Sequence, residues 1–250
     1  MQEPRRPASF LASVTGESEA RLCAELGADI IDAKNPAQGA LGALPGERVR
    51  AIRAAVPAAV PVSATIGDPS KDPDDVVRAA RFMAAAGADV IKVGFWPLRH
   101  QEAVVRRLEA LTHVRLVAVL LVDEGLDLDL IAPLRDARFA GVMLDTADKR
   151  VGALPERLSE DALAQFVNAV QSQGLFAGLA GSLRAEHVPQ LLALGPDVLG
   201  FRGGLCRAGA RTSGIDAEAV RAVRAAMASP EACEAAPASA MAPWQPGRAV

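Results

Sequence analysis

Eight short apolar runs punctuate this chain, and between most of them lie stretches whose apolar residues recur with helical spacing. The runs are Phe10–Thr15, Asp29–Lys34, Val62–Gly67, Val90–Phe95, Arg115–Leu121, Gly141–Ala147, Phe176–Ser182 and Val198–Gly204. The stretches between them, such as Asp74–Ala86, Gln101–Leu111, Ser159–Gln173 and Ala185–Leu194, are rich in Ala, Arg, Glu and Leu. A strand followed by a helix returns to its sheet as a parallel neighbour, and eight such units predict one closed (β/α)8 TIM barrel. The triplets Gly27-Ala28-Asp29, Gly87-Ala88-Asp89 and Gly195-Pro196-Asp197 fit this rhythm. Each supplies a glycine where a helix needs a left-handed terminal residue and leads at once into a strand. The echoes suit general α/β grammar as well as internal duplication. The barrel is expected over residues 9–228 as a single catalytic domain. Residues 1–8 and 229–250, Pro/Ala-rich and aperiodic, are expected to be short disordered tails.

Composition narrows the function classes. At 250 residues, half of them hydrophobic, the chain is long enough to bury a real core. Aromatics make up 4% and tyrosine is absent, so few side chains are available to stack on nucleic-acid bases. A net charge of −3 and a pI near 5.7 give no basic footprint for nucleic acid or an anionic membrane. No apolar stretch reaches the length of about 18 residues that a membrane span needs, and none follows Arg5 and Arg6 as a leader core. Neither a membrane span nor a signal peptide is expected. Cys23, Cys206 and Cys233 are odd in number and form no CxxC pair, which argues against disulfides and structural zinc and for a reducing cytoplasm. His100, His113 and His187 are scattered, and neither GxGxxG nor GxxxxGK[ST] occurs. No metal and no cofactor are therefore expected.

The chemistry is announced by the lysines. Among 27 basic residues only four are lysine, and Lys34, Lys92 and Lys149 fall at or near the ends of strand-like runs, leaving Lys71 as a surface charge. An arginine stays protonated, whereas a desolvated lysine can lose its proton and attack a carbonyl to form a Schiff base. Residues two apart in a strand share a face, so Asp32 and Lys34 point together while Ile31 and Ala33 face the helices. Lys92 turns inward if Ile91 and Val93 pack outward, and Met143 and Asp145 share the inner face of the sixth strand, with Lys149 in the loop beyond. TIM-barrel active sites lie at the C-terminal strand ends. Two carboxylates and three ammonium groups thus converge on one mouth, where crowded cations lower one another's pKa. Gly181-Ser182 and Arg202-Gly203-Gly204 end the seventh and eighth runs, the usual phosphate-binding place in this fold, and their small residues expose backbone N–H groups. Arg202 adds a charge there, or serves as partner to a carboxylate. Ser13, Thr15, Ser63 and Thr65 supply hydroxyls to line a pocket, and the loop Asn35–Gly42, with two glycines, is a lid candidate.

Taken together, Leu11-Ala-Ser-Val-Thr15, Asp29-Ile-Ile-Asp-Ala-Lys-Asn-Pro36, Val62-Ser-Ala-Thr-Ile-Gly-Asp68, Ile91-Lys-Val-Gly94, Met143-Leu-Asp-Thr-Ala147 with Lys149, Leu179-Ala-Gly-Ser182 and Arg202-Gly-Gly204 resemble one family. It is the (5-formylfuran-3-yl)methyl phosphate synthase family, which makes the furan precursor of methanofuran-type cofactors. The resemblance runs in order from about Phe10 to Ile215. It implies condensation of two glyceraldehyde 3-phosphate molecules with loss of one phosphate and two waters. It also implies that Lys34, in the DxKNP element, forms the Schiff base and that Lys92, in IKVG, accepts a proton. Asp32, Asp145 and Lys149 match the remaining charged site residues. The fifth run, Val117–Val122, is more apolar than the family pattern, and Asp123 and Glu124 have no counterpart with a role.

Two other classes fit the residues read alone. One is a class I aldolase or phosphosugar isomerase on the same barrel; the other is a non-catalytic barrel that binds a phosphorylated metabolite. In every reading the partner is a small phosphorylated molecule, an aldehyde if the resemblance holds. The Ala/Leu-rich outer helices suggest a homo-oligomer.

Overall fold

The computed structural model describes residues 7–67, 72–96, 101–148 and 151–228. Lys71, His100, Lys149 and the two expected tails, apart from Pro7 and Ala8, lie outside the described residues. Eight parallel strands pair in chain order: β1 (Ser9–Val14), β2 (Ile30–Ala33), β3 (Val62–Thr65), β4 (Val90–Phe95), β5 (Leu116–Leu121), β6 (Gly141–Asp145), β7 (Phe176–Leu179) and β8 (Val198–Phe201). Pairing of β1 with β8 closes the barrel. The helices are α1 (Glu17–Glu25), α2 (Gly46–Ala55), α3 (Pro73–Ala85), α4 (Gln101–Leu108), α5 (Ile131–Asp136), the single turn α6 (Leu154–Arg157), α7 (Glu160–Ser172), α8 (Val188–Ala193) and α9 (Ala217–Met227). Several strands stop short of the polar ends of the predicted runs: Thr15, Lys34, Ala147, Ser182 and Gly204 all lie beyond the last strand residue. There the backbone leaves the ladder and enters the loops that surround the barrel mouth.

Alternation divides the core into two layers. Ile31, Ala33, Ile91, Val93, Val142 and Leu144 point outward and pack with helix residues such as Val49, Ile52, Val76, Phe166 and Val170. Leu11, Ile30, Val90, Val117, Val119, Leu121, Met143 and Val198 fill the barrel interior. The period-2 reading that turned Asp32, Lys34, Lys92 and Asp145 inward is thus the one the backbone adopts.

The helices that carry the outer layer start and stop where the sequence signals them. Asp72, Ser159 and Asp216 cap α3, α7 and α9 by accepting the backbone N–H groups of Asp74, Ala162 and Glu218 at 2.9, 3.2 and 2.9 Å. At the opposite end of the barrel from the site, the three Gly-x-Asp triplets do one job. Gly27, Gly87 and Gly195 take φ values of 90°, 97° and 70°, the left-handed region where a Cβ is penalised. The aspartates then accept the backbone N–H of the neighbouring strand: Asp29 from Phe10, Asp89 from Val62 and Asp197 from Ala177, each at 2.8 Å. Each aspartate also donates its own N–H to that residue's carbonyl, so both groups at the start of an odd-numbered strand are satisfied.

Candidate active site

The register of the first three strands sets Ser13, Asp32 and Ser63 side by side inside the barrel. Asp32 is fully buried. Its Oδ2 accepts from Ser13 Oγ at 2.8 Å and from Lys92 Nζ at 2.8 Å, and its Oδ1 accepts from Ser63 Oγ at 2.7 Å. Across the mouth, Lys34 Nζ donates to Asp145 Oδ2 at 3.1 Å, and Asp145 Oδ1 accepts the N–H of Thr146 at 2.8 Å. Both lysines and both aspartates are buried. Burial raises the pKa of Asp32, but Lys92, then Lys34, outweigh it and hold the carboxyl below the usual carboxylate range. Lys92 moves the other way for an ammonium: burial, helped by the charge of Lys34, lowers its pKa despite the pull of Asp32 and Asp145. One amine of the pair is thereby biased toward its neutral form, and the carboxylate beside it stays ionised.

Over these groups opens a cavity of about 490 Å³. Of the residues singled out from sequence, Ser13, Lys34, Lys92, Asp145, Gly181, Ser182, Arg202, Gly203 and Gly204 line it. Asp32 lies beneath, reaching the cavity through Lys92. Ser63 donates to Asp32 and Thr65 Oγ1 to the carbonyl of Gly42 at 2.8 Å, and neither of these two, nor Thr15, belongs to the lining. The cavity is displaced toward β7, β8 and β1 because the other half of the barrel is filled. Leu41, fully buried, joins Val119, Leu121 and Trp96 in the interior cluster. A Cβ on Gly94 would sit 2.2 Å from Leu41 Cδ1 and 2.8 Å from the Trp96 ring, which is why IKVG ends in glycine. The apolar fifth strand is the wall of this plug.

The lid candidate is accordingly fastened down. Asn35 N–H donates to Gly42 O at 2.8 Å, Gly67 N–H to Leu41 O at 3.0 Å, and Arg211 Nη2 to Gly39 O at 2.7 Å. Arg202 resolves toward the carboxylate-partner reading: Nη1 lies 2.6 Å from Glu19 Oε2 and 3.2 Å from Ser13 O, while Nε and Nη2 donate to the carbonyls of Arg211 and Ser213 at 2.9 and 3.0 Å. Glu19 also accepts from the N–H and Oγ1 of Thr15, at 2.8 and 3.0 Å. Arg202 therefore ties β1, α1 and the 207–213 loop together. At the adjoining rim the turn Gly203–Leu205 leaves its first N–H groups without acceptors inside the turn. Asp123, unassigned by sequence, orders the loop after β6: it accepts from the N–H groups of Ala147 and Asp148, and Arg157 Nη1 lies 3.0 Å from its Oδ1. Sequence reading missed Glu19, Arg157 and Arg211. Only Arg211 carried a signal, as a cation in the loop after β8.

The chain matches the family model described as 4-HFC-P synthase over residues 10–224. It is 36% identical over 229 residues to the (5-formylfuran-3-yl)methyl phosphate synthase of Methanocaldococcus jannaschii, covering 86% of this chain and 97% of that one. A protein of Methylorubrum extorquens that bears the same name provisionally is 41% identical over 220 residues, covering 86% of this chain and 92% of its own length. Among solved structures, phosphoribosyl anthranilate isomerase from Thermus thermophilus superposes with a TM-score of 0.63 at 17% identity, over 88% of this chain and 98% of that one. Dihydrodipicolinate synthase from Acinetobacter baumannii gives 0.58 at 15% identity, over 78% and 69%. At such identities these likenesses speak for the barrel alone.

Proposed function

The chain belongs to the (5-formylfuran-3-yl)methyl phosphate synthase family and is an enzyme, and from that premise we propose that it condenses two glyceraldehyde 3-phosphate molecules to (5-formylfuran-3-yl)methyl phosphate in the making of a methanofuran-type cofactor. The balance is two triose phosphates in, and one furan phosphate, one phosphate and two waters out. The observation that carries the reading is the pairing of Lys34 with Asp145 and of Lys92 with Asp32 on the floor of one cavity.

In this reading the Lys34 amine adds to the aldehyde carbon of the first substrate, and loss of water from the carbinolamine gives an imine. Asp145, 3.1 Å from Nζ, is positioned to exchange protons during that loss. The imine acidifies the adjacent carbon. Lys92, biased toward the neutral amine, takes that proton to give an enamine, and Asp32 stabilises the ammonium so formed. The enamine carbon then attacks the second aldehyde. Elimination of one phosphate, ring closure and dehydration follow, and hydrolysis of the imine frees the amine. The small residues Gly181, Ser182, Gly203 and Gly204 supply backbone N–H groups for a substrate phosphate.

The test is incubation of the purified protein with glyceraldehyde 3-phosphate alone. Expected are a product absorbing in the near ultraviolet with the mass of the furan phosphate, and one phosphate released per two aldehydes consumed. Borohydride added during turnover should place a mass adduct on the peptide carrying Lys34. An aldol or isomerised triose without the furan, or no adduct on that peptide, overturns the reading.

A further inference from the structure

Five described cations line the cavity, and four have carboxylates. Lys34 meets Asp145 at 3.1 Å, Lys92 meets Asp32 at 2.8 Å, Arg202 meets Glu19 at 2.6 Å and Arg184 meets Glu186 at 3.3 Å. Arg211 is the exception among the described residues. Its side-chain hydrogen bond runs from Nη2 to a neutral carbonyl, Gly39 O, at 2.7 Å. A guanidinium carries five N–H donors in a planar fork, so most of its capacity is left over. Its position is nevertheless fixed. Its own carbonyl accepts from Arg202 Nε at 2.9 Å, and Arg202 is in turn neutralised by Glu19 and anchored to Ser13 O. The bond to Gly39 carries the side chain from the loop after β8 to the loop that follows Lys34. A half-buried cation held on both sides, with no carboxylate in ion-pair contact among the described residues and the charge of Asp145 reaching it only at longer range, is a preorganised anion site.

We propose that Arg211 forms a second phosphate-monoester subsite, distinct from the backbone N–H groups at Gly181-Ser182 and Gly203-Gly204, and holds the phosphate of one of the two aldehydes. The identity of the ligand rests on the condensation reading; the existence of an anion site does not. Two phosphorylated substrates bring two dianions into one cavity, and a charge already cancelled by Asp32, Asp145 or Glu19 answers neither. An arginine fork fits a phosphate through paired donors and, unlike Lys34 and Lys92, cannot compete as a nucleophile.

The experiment is equilibrium dialysis of the whole protein against radiolabelled glycerol 3-phosphate, which carries the phosphate and has no aldehyde. Wild type is expected to bind two equivalents and Arg211→Gln one, since glutamine can still donate to Gly39 O but carries no charge. Arg211→Lys is expected to bind two, the second about tenfold more weakly, because the charge remains and the fork is lost. With glyceraldehyde 3-phosphate, the apparent KM of Arg211→Gln should rise by about tenfold or more, the loss of one charge-assisted pair. One equivalent in wild type, or two in Arg211→Gln, overturns the subsite. If Arg211→Gln fails to fold by circular dichroism, Arg211→Lys decides, and unchanged affinity there overturns it. A protein that makes no furan yet shows the predicted stoichiometries keeps the subsite and loses the condensation. One that makes the furan and binds two equivalents as Arg211→Gln does the reverse.

Discussion

Asp32 is the residue on which the site's electrostatics turn, because it is fully buried, ionised, and held by two hydroxyls and one ammonium. Removing Lys92 alone strands that charge. Lys92→Met should therefore cost about 3–5 kcal/mol in urea denaturation, and adding Asp32→Asn to it should recover part of the loss, because both charges then leave together. Simple additivity of the two would mean that the pair is not coupled. In the proposed mechanism Asp32 also sets when Lys92 can act as a base. Its carboxylate is the largest influence that raises the pKa of Lys92, against a burial effect that lowers it. The rate should rise with pH as Lys92 deprotonates, with a midpoint below the range of an ordinary lysine. In Asp32→Asn that limb should move to lower pH, because the ammonium has lost its neighbour. A shift to higher pH in the residual rate would remove Lys92 from the role of base.

At the scale of elements, the repeated end of the barrel shows what one triplet is worth by showing where it is missing. The strands β5 and β6 meet at Arg138-Phe139-Ala140 instead of Gly-x-Asp. The helix α5 still ends in the left-handed conformation, with Arg138 at φ 62°, and Ala140 N–H still donates to Leu116 O at 2.8 Å. The backbone device persists, while the glycine and the carboxylate that ease it do not. Arg138→Gly should therefore stabilise the protein by about 0.5–1 kcal/mol, since it relieves the Cβ penalty at an exposed position. Destabilisation in a denaturant titration would mean that the extra backbone freedom of glycine in the unfolded chain outweighs that relief. Elements of this kind were legible in the sequence because they are local: a run of alternating apolar residues, a cap, a glycine before an aspartate. The inward turn of Asp32, Lys34, Lys92 and Asp145 was legible for the same reason, from period 2 alone. The partner of Arg202, the fastening of the 35–42 loop and the roles of Asp123 and Arg211 were not. Each depends on contacts between loops far apart in the chain, such as Arg202 with Glu19 or Arg211 with Gly39, and nothing local encodes them.

The interior of the barrel is lopsided. One half of the interior is polar and opens into the cavity; the other is plugged by Leu41, Trp96, Val119 and Leu121. The plug reaches the inner face of β4 one position above Lys92, since Lys92, Gly94 and Trp96 occupy alternate positions and Leu41 presses on Gly94. Desolvation is the largest cause of the lowered pKa of Lys92, so a plug that excludes water from that column would add to the bias of its amine toward the neutral form. Leu41, from the loop after Lys34, is the residue through which that influence can be tested. Leu41→Ala should cost about 2–5 kcal/mol as a cavity opens in the interior. Leu41→Met, which keeps the volume, should cost less than about 1.5 kcal/mol. The informative readout is the pH–rate profile with glyceraldehyde 3-phosphate. Water entering above Gly94 in Leu41→Ala would restore hydration to the ammonium, raise the pKa of Lys92 toward the ordinary lysine range, and carry the rising limb to higher pH. That is the opposite direction from Asp32→Asn, and Leu41→Met should leave the limb where it is. If Leu41→Ala lowers stability without moving the limb, the plug acts on stability alone and the dryness of Lys92 comes from the barrel wall beneath it.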